Sequence, residues 1–373
     1  GGSAPSARSP AIHNHRNLPA TKKSVWGGFM TRLRVMLGMV VSTGLAMTNA
    51  AQAQQSDGYF KGKTVTIAVG GTAGGGIDIG ARMLARYIGK YLPGQPKVQV
   101  QLVPGAGGVR LIEQLYTVAP KDGTYIGAFS TGPIIEPLIS LRNVKYKISD
   151  FTAVGAMEKD VSLCATWHTS PIKTLEHAKA REVTVSGTGV SSTTDIFPLA
   201  LNAVLGTKFR VITGYVGTQE SLLAIERGET DGRCGWGFSS MKSAKPEWLR
   251  DKRLNLLVQL GLQKHPEAQG VPAAMDLIKD AGDRQLMNVL IAPQNITRPY
   301  LAPPGLPAER AAEIRAAFMA AMNDPELKAE FTKMVGEGPA PTNGEDMQKL
   351  LSEIYSTPPA VVDRLKTVLN PGK

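Results

Sequence analysis

Glycine and one aspartate make the most chemically suggestive cluster in this chain. Gly70, Gly71, Gly74, Gly75 and Gly76 fall within one short segment, and Asp78 follows two positions later. Glycine lets a backbone approach a ligand without a Cβ in the way. A helix that starts here presents unpaired N–H groups, which attract anions. A second copy follows about thirty residues on, where Pro104-Gly105-Ala106-Gly107-Gly108 precedes Val109, Arg110, Leu111 and Ile112. Two such loops suggest one cleft that holds something small and anionic. A nucleotide site is the rival. The dinucleotide fingerprint needs a third glycine where Ile79 stands, and the phosphate-loop string G-x-x-x-x-G-K-[ST] does not occur. Candidate ligand-binding residues are therefore Ala73, Gly74, Gly75, Asp78, Gly105, Ala106, Gly107 and Gly108. Asp78 either caps its own helix or touches the ligand. Arg110 either reaches the cleft or lies exposed on a first helical turn.

Polar loops later in the chain extend the set to Ser130, Thr131, Gly189, Ser191, Ser192, Tyr215, Gly217 and Trp236. The hydroxyls of Ser191, Ser192, Thr193 and Thr194 could meet a carboxylate or cap the helix that follows. Trp236 and Phe238 could wall a pocket or fill the core, and Tyr215 could gate the pocket or cover the core. Catalysis finds little support, since no G-x-S-x-G elbow or H-E-x-x-H string occurs. No metal site is expected, because His168, His177 and His265 lack ligand spacing among themselves. Neither catalytic residues nor a cofactor are therefore expected.

These loops need strands and helices to hold them. Hydrophobic runs and turn signals predict strands over 64–69, 98–103, 124–129, 152–157, 161–167, 183–186, 209–213, 232–236 and 254–260. Helices are predicted over 78–91, 108–118, 134–140, 174–180, 193–204, 218–227, 272–279, 284–289, 307–322, 325–335, 344–354 and 358–368. The alternation reads as α/β with parallel sheets. Each glycine- or serine-rich segment follows a strand, where ligands bind in open sheets of this kind. The C-terminal third reads as helical, punctuated by Pro299, Pro303, Pro304 and Pro307.

The N-terminal segment reads as an export signal. Arg32 and Arg34 precede an apolar run from Leu33 to Met47, and Ala51-Gln52-Ala53 fits a cleavage site, so the mature chain would begin at Gln54. Residues 1–29 read as a spurious or disordered extension and 30–53 as the signal peptide. Six of the 42 basic residues lie in the first 53 positions and none of the 31 acidic ones; 42 less six leaves 36, a mature net charge of +5. That mild excess suits a small anion and shows no nucleic-acid signature. The only cysteines are Cys164 and Cys234. An exported chain pairs two cysteines more often than it leaves them free, with two buried thiols as the other reading.

Taken in order, the loops resemble those of the tripartite tricarboxylate transporter receptor family, the Bug-type periplasmic solute-binding proteins. Ala73 to Arg82 resembles A-G-G-x-x-D-x-x-A-R, and Pro104 to Gly108 is P-G-A-G-G. Ala119 to Tyr125 is similar to A-x-P-D-G-Y-T, Gly214 to Thr218 to the Y-x-G-[ST] loop, Glu226 to Gly232 to G-x-[VI]-D, and Ala302 to Pro307 to P-x-G-x-P. The resemblance runs from about Lys61 to the C-terminus. It implies a periplasmic-binding-protein-like (type II) fold, each lobe a mainly parallel sheet flanked by helices, with the ligand cleft between them. The implied lobes are 54–158 with 251–373, and 159–250. It also implies a monomeric periplasmic receptor that passes a small carboxylate to two membrane subunits of a transporter, or a sensory adaptor that presents the carboxylate to a membrane kinase. Backbone amides and waters would hold the carboxylate without a salt bridge, consistent with two loops that carry no Lys or Arg. The chain departs from the family at Ile77, at Val190, in the missing His of the 187–195 loop, at Arg110, and in Gly235 to Ser240.

Overall fold

The computed structural model of the chain describes residues 58–140 and 143–370. The expected extension and signal peptide lie outside them. The first strands and helices alternate as β1 (Thr64–Val69), α1 (Gly76–Ile88), β2 (Lys97–Leu102), α2 (Val109–Thr117), β3 (Tyr125–Ala128), α3 (Gly132–Ile139) and β4 (Thr152–Glu158). The chain then crosses to β5 (Ser162–Trp167), α4 (Leu175–Ala180), β6 (Val183–Ser186), α5 (Thr193–Leu205), β7 (Phe209–Ile212), α6 (Thr218–Glu226), β8 (Gly232–Gly237), α7 (Phe238–Ala244), α8 (Pro246–Arg250) and β9 (Leu254–Leu260). It returns through α9 (Ala274–Leu277) and α10 (Ala281–Ile291) to β10 (Thr297–Ala302). It ends in α11 (Ala308–Asn323), α12 (Pro325–Val335), β11 (Thr342–Asn343), α13 (Gly344–Tyr355) and α14 (Pro359–Leu369).

Two sheets result, ordered β2-β1-β3-β10-β4-β11 and β7-β6-β8-β5-β9. The α/β class and the two-lobed plan hold, but the sheets are mixed rather than mainly parallel. Strands joined by helical crossovers run parallel, as β1 does with β2 and β3, and β6 with β7 and β8. β4, β5, β9 and β10 flank the passages between lobes and pair antiparallel. A strand that leaves for the other sheet needs no same-sheet crossover, so nothing enforces a parallel neighbour. The expected lobe boundary at 250 also shifts. β9 pairs with β5 in the second sheet, and Leu286, Met287, Leu290, Ile291 and Leu365 of α10 and α14 join that lobe's core.

Sequence patterns explain the layers. β1 sits between β2 and β3 with Val65 to Val69 buried, which is why it reads as an unbroken apolar run. β2 lies at the edge, and its KVQVQL sequence alternates exposed polar positions with half-buried apolar ones. In α1, Ala81, Leu84 and Ile88 recur at helical spacing and are buried under β1. α11 and α12 share that face, whereas α2 and α13 cover the other. Cys164 of β5 and Cys234 of β8 are joined by a disulfide within the second sheet.

Candidate functional site

Because the two sheets repeat one order, the loops after β1, β2 and β3 face those after β6, β7 and β8. The second glycine loop has an unusual backbone: Gly105, Ala106, Gly107 and Gly108 all have positive φ, at 139°, 48°, 66° and 102°. Three glycines in four positions are what such a path requires. At the first loop, α1 starts at Gly76, two residues before the expected Asp78. Asp78 is therefore the third helical residue, not the cap, and its Oδ2 accepts a 2.8 Å hydrogen bond from the Gly74 N–H. Arg82 Nε lies 2.8 Å from the other carboxylate oxygen. The second lobe repeats the device at α5. Asp195, again third in the helix, accepts hydrogen bonds from the Gly189 N–H at 3.2 Å and the Ser192 hydroxyl at 2.9 Å. Burial raises the Asp195 pKa, against hydrogen bonds from Thr213, Gly189, Ser192 and Thr194 that lower it.

Between the loops lies a cavity of about 90 Å³, lined by Gly70, Gly71, Thr72, Gly75, Gly76, Ile77, Asp78, Gly105, Gly107, Ser130, Thr188, Ser192, Thr193, Thr194, Val216, Gly217, Thr218 and Arg233. Of the residues singled out from sequence, Gly75, Asp78, Gly105, Gly107, Ser130, Ser192 and Gly217 are on its wall. The others stand back from it. Ala73 and Gly74 belong to the outer turn, and Gly74 accepts a hydrogen bond through its carbonyl from Gln219. Ala106 packs against Gly189, and Gly108 against Pro133. Thr131 is buried, its hydroxyl 3.5 Å from the Gln294 amide, and the Ser191 carbonyl abuts Gly132. Tyr215 points its hydroxyl to Glu229 at 3.5 Å. Trp236 is core, not wall: it is 3 % exposed and packs edge-on to Trp248. Arg110 is exposed and off the cavity.

Three helices of nine to thirteen residues, α1, α5 and α6, begin at this cavity with Gly76, Thr193 and Thr218 on its wall. Each start carries partial positive charge and unpaired N–H groups. The one acidic side chain on the wall, Asp78, is already engaged by Arg82 and Gly74. The arrangement favours an anion and offers it hydrogen bonds from backbone N–H groups, because Ser130, Ser192, Thr193 and Thr194 on the wall already donate within the protein.

Arg233 adds a full charge, and sequence reasoning missed it. It rises from β8 opposite Ala165, is 6 % exposed, and lines the cavity. Its Nε and Nη1 have no hydrogen-bond partner, and no ion pair includes it among the described residues. Burial lowers its pKa to about 10, partly offset by Asp195, so it stays protonated near neutral pH. A charged residue inside the otherwise small and apolar strand GRCGWG was the available signal.

The lobes are closed on one another. Gln219 Nε2 of α6 donates to the Gly74 carbonyl at 2.7 Å, and Thr72 Oγ1 donates to Glu220 at 3.3 Å. A Cβ on Gly217 would strike the Thr72 side chain, and one on Gly76 would strike Ser240. Near the β4–β5 crossing, Glu158 and Asp160 are buried and both accept from the Ser239 hydroxyl at 2.7 Å. Arg298 Nη1 lies 2.7 Å from Glu158, while its Nε donates to the Gly76 carbonyl at 3.0 Å. Burial raises both carboxyl pKa values, Glu158 to about 7.

No family model matches the chain. It is 25% identical over 345 residues to the "UPF0065 protein in gbd 5'region" of Cupriavidus necator, a match that spans 88% of this chain and 95% of that protein. Its fold is that of the periplasmic binding protein BugD (TM-score 0.66, 19% identity, 82% of this chain and 97% of that one). It is equally that of MatC from Rhodopseudomonas palustris, solved with bound malate (TM-score 0.64, 19% identity, 82% and 99%). These structures are of binding proteins, not enzymes. Among the described residues, no group of His, Cys, Asp and Glu could hold a metal ion, and no helix is long and apolar enough to cross a membrane.

Proposed function

We propose that this protein is a periplasmic receptor that binds a small carboxylate between its lobes and delivers it to the membrane subunits of a tripartite tricarboxylate-type transporter. The observation that carries the reading is the convergence of three helix N-termini on one small cavity between the lobes whose only acidic wall residue is already paired. The carboxylate accepts hydrogen bonds from the amides of the first-lobe glycine loops, while Ser192, Thr193 and Thr194 give their hydroxyl hydrogens to Asp195 and the Gly235 carbonyl and so shape the wall. Gln219 and Thr72 then latch the second lobe over it. The β4–β5 passage and the return into β10 serve as the hinge. Fold neighbours solved with malate and with adipate support an acid as the ligand class.

Thermal unfolding of the chain from Gln54 onward, against a panel of short carboxylates with sugars and amines as controls, tests this. A ligand at a hundred times its dissociation constant adds roughly 2.7 kcal/mol. A shift with carboxylates alone is expected. No shift with any acid, or a shift only with neutral compounds, overturns the proposal. Co-purification with the membrane subunits tests delivery separately.

A further inference from the structure

We propose that closure of the lobes on a ligand takes up one proton at the crossing between them, held by Glu158 and Asp160 across the Ser239 hydroxyl, so that pH sets ligand affinity through a cluster the ligand does not touch. This rests on the receptor reading above and adds its regulation.

Ser239 has one hydroxyl hydrogen for two carboxylate oxygens, Glu158 Oε1 and Asp160 Oδ2, each 2.7 Å away. That hydrogen serves one of them. The other contact becomes a full hydrogen bond when its carboxyl carries a proton and donates to Oγ. Asp160 also accepts the Val161 N–H at 2.8 Å and the Ser239 N–H at 3.1 Å, which favours its charged form. The proton therefore rests on Glu158, and the chain runs from Glu158 through Ser239 to Asp160. The charges around it agree. Arg298 of β10 supplies one cation, with Nη1 2.7 Å from Glu158 and Nε on the Gly76 carbonyl. Glu337, beyond α12 and 3.0 Å from His265 Nε2, adds repulsion. Burial keeps Tyr300 of β10 neutral, its hydroxyl on the Met157 sulfur. Lys242 of α7 is paired with Glu267, and Asp78 of α1 with Arg82. Two buried carboxyls thus share one guanidinium, and one proton balances them.

The chain bridges the lobes. Glu158 and Arg298 lie on β4 and β10 of the first sheet, and Ser239 is the second residue of α7, which follows β8 of the second. Asp160 travels with Ser239, since it holds that residue's N–H and hydroxyl and adjoins Gly237. The next residue, Ser240, presses on Gly76, where a Cβ finds no room, and Gly76 is on the cavity wall. The surface that meets on closure therefore continues from the cavity to Glu158. When the lobes part, Ser239 leaves Glu158 together with Asp160, water enters, and Glu158 ionises against Arg298. In the closed form burial holds its pKa at about 7. The closed form binds the proton more tightly than the open one. By linkage, affinity for a ligand that closes the lobes rises as pH falls through 7.

The experiment is isothermal titration at pH 6 and pH 8 of wild type and Glu158→Gln with malate, whose carboxyls are largely ionised across that range. An acid of the thermal panel that binds more tightly replaces malate as the probe. Wild type is expected to bind roughly tenfold more tightly at pH 6 than at pH 8. Glu158→Gln is uncharged at both and is expected to bind equally at both, near the wild-type level of pH 6. Wild-type titrations at pH 7 in Bis-Tris and in Tris, whose heats of ionisation differ, count the proton directly, with about half a proton taken up per ligand expected. Equal wild-type affinities at the two pH values, or no proton uptake at pH 7, overturn the inference and leave the receptor reading intact. So does a Glu158→Gln protein that keeps the wild-type pH dependence, which is what a merely structural role for Glu158 predicts. Failure of wild type to bind any acid of the panel overturns the receptor reading itself, and this inference with it. The buffer comparison on wild type decides the matter even if the variant does not fold.

Discussion

Replacing Glu158 by glutamine should remove a pH dependence of stability that the native cluster imposes. Glu158 and Asp160 are buried, share one hydroxyl, and face one guanidinium, that of Arg298. With both carboxyls ionised the cluster is one negative charge in excess, and Glu337 adds to the repulsion at Glu158. Burial therefore lifts the folded-state pKa of Glu158 to about 7, against 4.5 for an ordinary glutamate. Between those values the folded protein holds a proton that the unfolded chain has released. Stability is therefore highest at the acidic end of the window and falls as pH rises through 7. At 1.36 kcal/mol per pH unit, the span corresponds to roughly 3 kcal/mol. Glu158→Gln keeps the acceptor that meets Ser239 and Arg298, and leaves Asp160 to balance Arg298. Its cluster is neutral at every pH in the range. Urea denaturation of both proteins at pH 5 and pH 8 isolates the effect of the cluster, because titrating groups remote from it cancel in the comparison. Wild type should lose roughly 2.5 kcal/mol more than the variant between the two pH values. Parallel losses would refute the claim that this pair stays partly protonated when folded.

Three further outcomes follow from the closed cleft and the second sheet. Gly217→Val should weaken carboxylate binding at least roughly tenfold with little change in ligand-free melting temperature. Gly217 has extended backbone at φ −170°, so the cost is the clash with Thr72 on closure, and a binding titration beside a melt separates the two. Gln219→Ala removes the 2.7 Å latch to Gly74 and should raise the ligand dissociation rate about threefold to tenfold in stopped-flow displacement, the worth of one hydrogen bond. The double variant Cys164→Ala, Cys234→Ala should lose about 4 kcal/mol in denaturant, as expected for a crosslink that closes 70 residues, and wild type in reductant should match it.

Local patterns carried most of the architecture. β1, β6 and β9 have the bounds that their apolar runs predict, and α12 spans 325–335 as its proline start and glycine end require. β10 was missed because Pro299 sits inside it, and proline argues against a central strand. The strand tolerates it through an irregular path: Arg298 has a φ of 54°, and the register with β4 shifts between Tyr300 and Leu301. α7 and α8 were hidden by the serines and Pro246 between 238 and 250. The glycine loops were legible because their conformation is set locally. Trp236 was misplaced for the opposite reason: a strand residue shows its period, but not which partner, here Trp248, covers it.

Arg233 marks where sequence reading stops and sheet order takes over. Its neighbours Gly232 and Cys234 bring a buried strand to mind and say nothing of a ligand. Only the placement of β8 between β6 and β5 brings its guanidinium to the mouths of α5 and α6. The two lobes use the same Asp-to-glycine-loop device, Asp78 on Gly74 and Asp195 on Gly189, but only the second adds a cation to the wall. That asymmetry couples binding to closure. In the closed cleft Arg233 lies over the Trp236 ring, with no hydrogen-bond partner for its Nε and Nη1. An anion seated on the first-lobe amides meets this positive charge only when the lobes close, and so has greater affinity for the closed form than for the open one. That difference in affinity is the only quantity by which a ligand can shift the equilibrium between them.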